Sequence, residues 1–423
     1  MTKAGVPTRP GRAVKLRSWG PAMVSVAASA LVTVASLAIA RYDGFGSFGL
    51  FVAVQAIGVI LGIPMLWGVH VSASRALATG SDVGTVVRTA VAVVAAACLL
   101  TSVAYFGLLA LARDVVPLAA GNLLWHAPGL GASAALMSLA ESLLRIRGRQ
   151  LLASGLRLAC AGGYLLAVAA VLDGGQGSPA VYAVLVTGGN VLCAVLMLIG
   201  LRRRRPTATT SPRWDQGLAR TFLHEGRAYS TSQSLLALLF GFDAILLMQA
   251  GGPAAVAVYA LYIGSCRRLI GVLFTDSLAS VLIALLARAK ASTGGRAVLR
   301  YAPRLLALVG VGTAVLVLVS LAAADALHHL VAGWVVLAAV GCTAHALVVV
   351  MFCIFTVQPA LGLARVRTAL TAAFLPGLAL QAVAAAVGGA PGVMAAFAVL
   401  NVVLAGWFLL VIRRSTADLS RIR

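Results

Sequence analysis

Four charged residues lie deep inside long apolar stretches of the sequence, where charge is rare. Arg267 and Arg268 fall well inside one such stretch, and Asp276 follows two to three helical turns later. Asp243 lies in the preceding stretch. A charged group in the hydrocarbon region of a membrane costs about 3 kcal/mol on insertion scales and marks a functional site by default. Because the guanidinium fork matches the oxygens of phosphate, the two arginines predict an anion-binding site.

Adjacent arginines cannot both face one cavity, since neighbouring residues of an α-helix point about 100° apart. One arginine would face the cavity, and the other would pack between helices or pair with Asp243 or Asp276. Two interpretations therefore stay open, namely substrate binding and an ion pair that holds helices together. Asp243 is equally ambiguous, because a desolvated carboxylate can bind Na⁺ or carry a proton as well as pair with arginine.

Two further groups of polar residues have weaker functional interpretations. Glu141 precedes Arg145 by one helical turn, so the spacing favours an interfacial ion pair over an ion-coupling role. Asp325, His328 and His329 fall close together in a predicted external turn. A membrane glycosyltransferase or ligase would need an acid, a base or a nucleophile at such a place.

No catalytic residue, metal ligand set or cofactor motif is predicted. The sequence contains no GxxxxGK[ST], GxGxxG or HExxH motif, so it lacks the usual residues for binding nucleotide or zinc. The cysteines have no CxxC or Cys/His ligand spacing and all lie in apolar stretches, which predicts that they pack as small hydrophobic residues. They are Cys98, Cys160, Cys193, Cys266, Cys342 and Cys353.

The composition shows which elements must position these residues. Of 423 residues, 61% are hydrophobic and 10% are charged, whereas soluble domains average about 45–50% apolar and about 25% charged residues. A soluble globular protein is thereby excluded. At about 20 residues for each membrane crossing, the sequence divides into twelve apolar stretches. They run near 21–40, 46–70, 87–112, 123–144, 151–172, 179–201, 228–250, 254–287, 303–324, 330–357, 368–388 and 391–412.

The distribution of charge predicts the orientation. The net charge is +22, and basic residues concentrate in the cytoplasmic loops of membrane proteins. With twelve crossings and both termini in the cytoplasm, all of the 33 Lys and Arg residues fall in or beside cytoplasmic segments except Arg41, Arg113, Arg267 and Arg268. The charge is thus explained by topology, and we expect membrane lipids rather than nucleic acid as partners. The predicted external connections carry Asp43, Asp114, Asp173 and Asp325.

The polar stretch 202–227 divides the chain into two halves. We predict a basic cytoplasmic N-terminus, a six-helix bundle, a cytoplasmic linker, a second six-helix bundle and a basic cytoplasmic tail. Their ranges are 1–19, 20–201, 202–227, 228–412 and 413–423. An offset of 208 residues places Gly44 on Gly252 and Phe51 on Tyr259. Because each half begins on the same side of the membrane, the halves would be parallel repeats with a substrate site between them.

Several segments carry a resemblance to a known family. The turn from Arg41 to Phe51, RYDGFGSFGLF, and its weaker copy in Phe242-Asp243, Gln249–Gly252 and Val256–Ala260 are similar to bacterial polysaccharide-transport proteins. The basic segment Leu143–Arg149 also fits. These proteins belong to the multidrug/oligosaccharidyl-lipid/polysaccharide (MOP) flippase superfamily. The resemblance implies an all-α polytopic protein of twelve transmembrane helices in two parallel six-helix bundles.

The same resemblance implies a function. The expected activity is the flipping of a polyprenyl-pyrophosphate glycan across the bacterial inner membrane by alternating access, for lipopolysaccharide or other cell-envelope polysaccharide assembly, in contact with other assembly proteins. In that setting Arg267 or Arg268 would bind the pyrophosphate, and Asp243, Asp276 and Glu141 would couple ions or form pairs in the cavity. A cation or drug exporter of the same superfamily and a polytopic glycosyltransferase or ligase are the alternatives.

Overall fold

The computed structural model describes residues 12–111, 121–202, 214–271, 331–357 and 363–421, together with separate positions between 307 and 321. Within these residues the chain is helical apart from short connections. The helices of the first half are α1 Arg12–Tyr42, α2 Gly44–Leu66, α3 Val69–Ala78, α4 Val83–Leu111, α5 Gly121–Leu124, α6 Ala127–Ile146, α7 Gln150–Asp173 and α8 Pro179–Arg202. Those of the second half are α9 Gln216–Tyr259, a π-helical turn Ala260–Gly264, α10 Ser265–Ile270, α11 Ala332–Val357 and α12 Leu363–Arg421.

The described helices account for most of the predicted crossings. Nine of them are long and apolar enough to span a membrane. Two of the nine, α9 and α12, each contain one sharp kink, at Gly252 and Gly389, and each kink joins two of the predicted stretches. The prediction of an all-α polytopic membrane protein is confirmed. The stretch 303–324 and most of 271–287 lie largely outside the described residues.

Glycines at corresponding turns support the internal repeat. Gly44, between α1 and α2, has φ +89°, and Gly252, at the kink of α9, has φ +71°. These left-handed values suit glycine because it has no Cβ atom. The last turn of each half repeats this feature, with Gly175 at φ +63° and Gly389 at φ +55°. The halves therefore share the Gly44/Gly252 turn that their weak sequence similarity predicted, and their last turns also share a left-handed glycine.

We name the two sides of the helical array by their connections. The basic face holds α3, the connection 147–149 and the start of α9, and the opposite face holds the turns at Gly44, Gly175, Gly252 and Gly389. Helix α2 packs along α9 and is the main contact between the halves. In the first half α6 packs between α2 and α8, and α1 packs on α7. In the second half α12 packs on α9 and α11.

Glycines allow close approach of the halves at both faces. Near the opposite face, a Cβ atom on Gly49 would overlap the carbonyl oxygen of Pro253. Near the basic face, a Cβ on Gly226 would overlap the carbonyl oxygen of Trp67, whose indole nitrogen donates to the Leu223 carbonyl at 3.1 Å. Small residues of this kind permit tight helix packing inside membranes. The two halves consequently lie in close contact at Gly49 and Pro253, near the opposite face, and at Gly226 and Trp67, near the basic face.

Candidate substrate site

Asp243 is the centre of a buried polar cluster in the second half. It lies on α9, before the kink, and is 1% exposed. Its Oδ1 atom accepts a hydrogen bond from the Ala244 backbone nitrogen at 2.7 Å. Its Oδ2 atom accepts bonds from the Tyr259 hydroxyl and from Arg267 Nη1, the latter at 2.8 Å. Both carboxylate oxygens are therefore engaged by groups of the protein itself.

A π-helical turn separates Tyr259 from Arg267. The turn Ala260–Gly264 follows directly on Tyr259, and α10 then carries Arg267. A π turn adds a residue to the helical repeat, so it changes the direction in which the following side chains point, and such turns are frequent at functional sites. Here Tyr259, before the turn, and Arg267, after it, both donate hydrogen bonds to Asp243.

Arg267 contacts side chains of the second half. Besides its ion pair with Asp243, its guanidinium carbon lies 5.6 Å from the centre of the Phe397 ring. The Phe397 ring packs against His345, whose Nδ1 atom lies 2.9 Å from Asn401 Oδ1. His345 is thus a packing residue within a polar network.

Arg268 points the other way, into the first half. Its Nη1 atom donates to Ser36 Oγ on α1 at 3.1 Å, and its Nη2 atom donates to Gln55 Oε1 on α2 at 3.2 Å. A longer contact of 3.5 Å reaches the Val32 carbonyl oxygen. The expected divergence of the two adjacent arginines is confirmed. All three partners of Arg268 are uncharged groups.

The charges at this site do not balance among the described residues. The charged residues there are Arg267, Arg268 and Asp243, and Arg267 forms an ion pair with Asp243. Within the same described ranges Arg268 forms no ion pair with a carboxylate. Asp276, the other predicted acid, lies outside the described residues, as do Asp325, His328 and His329 of the predicted external turn.

Glu141 belongs to a second buried cluster, near the basic face of the first half. It accepts hydrogen bonds from Arg145 on the same helix, with Nε at 3.1 Å, and from Arg157 on α7, with Nη1 at 3.2 Å. Arg145 Nη2 also lies 3.5 Å from Ser25 Oγ, which is 2.9 Å from Ser154 Oγ. The cluster connects α1, α6 and α7. Glu141 and Arg145 form the ion pair that their spacing predicted.

A cavity of about 320 Å³ lies between the halves on the side of the basic face. Its first-half wall includes Glu141 and Arg145, and its second-half wall includes Val349, Phe352 and Cys353. Hydrogen-bonding side chains are numerous around it. They are His70, Ser74, Ser138, Ser142, Tyr229, Ser230 and Gln233.

Several contact residues were not identified from the sequence. Ser36, Gln55 and Tyr259 are common residue types inside apolar helices, and nothing in their spacing links them to the arginines. Arg157 was counted with a basic loop, yet it lies in the second turn of α7 and pairs with Glu141. Its position as the seventh residue of the apolar stretch 151–172, three residues after Ser154, was the signal in the sequence.

Comparison with known proteins relates this arrangement to a class of folds. No family model matches the chain, and no curated protein matches it. Solved structures do match over nearly its full length. An outward-facing multidrug resistance MATE family transporter of the MOP superfamily is 16% identical, with 96% of each chain covered and a TM-score of 0.64. A mutant of the Vibrio cholerae MATE transporter VcmN is 17% identical, with 96% of each chain covered and a TM-score of 0.67.

A third structure gives the same result. The MATE multidrug transporter DinF-BH is 16% identical, with 97% of this chain and 98% of that chain covered and a TM-score of 0.68. At these low sequence identities, the similarity of the structures shows the fold alone. The chain is a multi-pass membrane protein with the fold of these MATE transporters.

Proposed function

We propose that this protein is a transporter that flips a lipid-linked oligosaccharide, a glycan on a polyprenyl pyrophosphate, across the membrane by alternating access. It would act in the bacterial inner membrane with both termini in the cytoplasm, so that the basic face is the cytoplasmic face. The product would serve cell-surface polysaccharide assembly, in contact with other assembly proteins. The bundles 20–201 and 228–412 would be the moving units.

The observation that carries this proposal is the environment of Arg268. A guanidinium at mid-membrane depth, held by Ser36 and Gln55 from the other half, keeps its full positive charge. Neither neutral acceptor balances the charge of the guanidinium, whereas a pyrophosphate would add the Coulomb attraction of an ion pair to the hydrogen bonds. A pyrophosphate that enters between the halves can therefore replace Ser36 and Gln55 at a net gain.

The two arginines would have different roles. Arg267 already has a carboxylate partner in Asp243, so a phosphate would have to compete with an ion pair that is buried and costly to break. We therefore assign pyrophosphate binding to Arg268 and a positioning role to Arg267. This assignment favours the ion-pair interpretation of Asp243 over binding of Na⁺ or a proton, because both of its oxygens accept hydrogen bonds from the protein.

The cavity near the basic face suits the glycan. Hydroxyl and amide side chains such as Ser138, Ser230 and Gln233 line it, and these groups donate and accept hydrogen bonds as sugar hydroxyls require. A glycan in this cavity would carry its pyrophosphate toward Arg268, while the polyprenyl chain stays in the bilayer. Parting of Trp67 from Gly226 would open the basic face, and parting of Gly49 from Pro253 would open the opposite face.

A cation or drug exporter is the second candidate, favoured by the MATE multidrug transporters among the structural neighbours. A cationic substrate is best bound by acids and aromatic rings in the cavity. Among the described residues at mid-membrane depth the single acid is Asp243, which is neutralised by Arg267, while Arg268 adds a positive charge. The electrostatics there favour an anion. We propose a transporter rather than an enzyme, since the structural neighbours are transporters.

The test is accumulation of the substrate in cells. The gene is deleted, lipid-linked intermediates are extracted, and wild type, Arg268→Ala and Arg268→Lys are compared for rescue. We expect a glycan on polyprenyl pyrophosphate to accumulate on the cytoplasmic leaflet, with full rescue by wild type and none by Arg268→Ala. The matched control is Arg414→Ala, an exposed arginine near the end of α12, which should rescue fully. If no lipid-linked intermediate accumulates but sensitivity to cationic drugs rises, the exporter replaces the flippase.

A further inference from the structure

A second arginine pair lies at the basic face, outside the central site. Arg147, Gly148 and Arg149 connect α6 to α7 and form a pocket with Leu152 of α7 and Leu201 of α8. The pocket has a volume of about 480 Å³. We propose that it binds the phosphate headgroup of an anionic phospholipid of the surrounding bilayer. The proposal is independent of the transported substrate.

Local geometry holds the arginines at this place. Gly148 has φ +76°, so the chain turns sharply between the two arginines. Arg149 Nη1 donates to the Gly200 carbonyl oxygen near the end of α8, which fixes one guanidinium against the pocket wall. Leu152 packs against Gly200, where an added Cβ would approach its side chain to 3.3 Å. The pocket wall is therefore a closely packed junction of α7 and α8.

The chemistry of the pocket matches a phospholipid rather than a free anion. Its lining combines two guanidinium groups with two leucines, and no carboxylate is among its lining residues. The neighbouring Leu151 is 62% exposed, as expected where α7 begins to face acyl chains. Basic pockets between membrane helices at the cytoplasmic surface bind anionic headgroups in this way. The arginines would bind the phosphate, and the leucines would contact the first acyl carbons.

The charge of this pocket is distinct from that of the buried cluster nearby. Arg145, at the end of α6, is turned inward to Glu141, whereas Arg147 is exposed at the surface. Successive arginines of the segment thus serve the interior and the surface separately. In the sequence, four further arginines, Arg202 to Arg205, follow Leu201.

The experiment measures lipid binding to the intact purified protein by native mass spectrometry. Wild type, Arg147→Gln and the double variant Arg147→Gln plus Arg149→Gln are titrated with phosphatidylglycerol and with phosphatidylcholine. We expect wild type to bind phosphatidylglycerol more tightly than phosphatidylcholine. Each substitution should weaken phosphatidylglycerol binding about fivefold, and neither should change phosphatidylcholine binding.

Two controls separate the proposal from general charge effects and from unfolding. Arg413→Gln plus Arg414→Gln removes two exposed arginines from the same face, outside the pocket, and should leave the preference for phosphatidylglycerol unchanged. Arg147→Gln leaves the bond from Arg149 to Gly200 intact, so it reports on binding even if the double variant unfolds. Equal binding of both lipids by wild type would overturn the proposal. So would an equal loss of phosphatidylglycerol binding in Arg147→Gln plus Arg149→Gln and in Arg413→Gln plus Arg414→Gln. Displacement of phosphatidylglycerol by inorganic phosphate at equal concentration would assign the site to a free anion instead.

Discussion

The two halves of the molecule share backbone turns but place their polar residues differently. At the 208-residue offset, Asp243 corresponds to Ala35 and Tyr259 corresponds to Phe51. Arg267 corresponds to Val59, which lines the cavity. The helix pair that holds the Asp243 cluster in the second half is accordingly apolar at the equivalent positions in the first half.

The reverse holds near the basic face. Glu141 and Arg145 of the first half correspond to Val349 and Cys353 of the second half at the same offset, and all four line the same cavity. The repeat thus sets where helices turn and meet, while its divergence sets where charge lies. A substrate between the halves would meet charged groups of the first half near the basic face and charged groups of the second half around Asp243.

The largest effect on stability is expected at the centre of the second-half cluster. Asp243→Ala leaves the Arg267 guanidinium buried without its carboxylate, which should lower the free energy of unfolding by about 3–5 kcal/mol. Reversible unfolding in mixed detergent micelles measures the change. The double variant Asp243→Ala plus Arg267→Met, which removes both charges as in the first half, should recover most of the loss. A single-variant loss below about 1 kcal/mol would mean that the ion pair does not hold this half together.

A second test concerns the contact between the halves. Gly49→Ala forces a Cβ atom into the carbonyl group of Pro253, and we expect a loss of up to about 3 kcal/mol. The equivalent position of the second half is Ala257, which is buried, so only the first-half helix should be sensitive. Gly46→Ala, on the same helix with open space around it, is the control and should be neutral or slightly stabilising. Equal stability of the two variants would contradict the close contact.

Tyr259→Phe converts the second half to the residue that the first half has at position 51. The substitution removes one hydrogen bond to the Asp243 carboxylate, which should cost about 2 kcal/mol. Thermal unfolding compared with the reciprocal variant Phe51→Tyr, which adds a hydroxyl where this bond does not exist, would separate loss of the hydrogen bond from repacking. Stability equal to that of wild type would show that Tyr259 contributes packing alone.

The smallest effect is expected in the first-half cluster. Ser154→Ala removes the hydrogen bond with Ser25, whose hydroxyl still has Arg145 as a neighbour at 3.5 Å. The expected loss is about 1 kcal/mol, measured by the same micelle titration. A loss as large as that of Asp243→Ala would show that the two halves depend equally on their polar clusters.

Much of the architecture follows from the sequence because a membrane imposes simple rules on it. Apolar length and the one-sided distribution of arginine predict the spans, and Gly44 with Gly252 predicts the repeated turn. The partners of the two arginines do not follow, because they depend on the π-helical turn after Tyr259 and on which helix of the first half lies opposite. Serine and glutamine at positions 36 and 55 have no sequence pattern that marks them as partners of an arginine more than 200 residues away.

The central claim is that Arg268 binds the anionic group of the substrate while the Arg267–Asp243 pair is structural. Purified wild type, Arg268→Gln and the paired variant Arg267→Gln plus Asp243→Asn would be reconstituted in liposomes, and transfer of a polyprenyl-pyrophosphate glycan between leaflets would be measured. We expect Arg268→Gln to fold normally and its transfer rate to fall about 10- to 100-fold. This decrease corresponds to the loss of one or two charged hydrogen bonds. The paired variant should retain most of the rate. Full transfer by Arg268→Gln, or its loss only in the paired variant, would contradict the account.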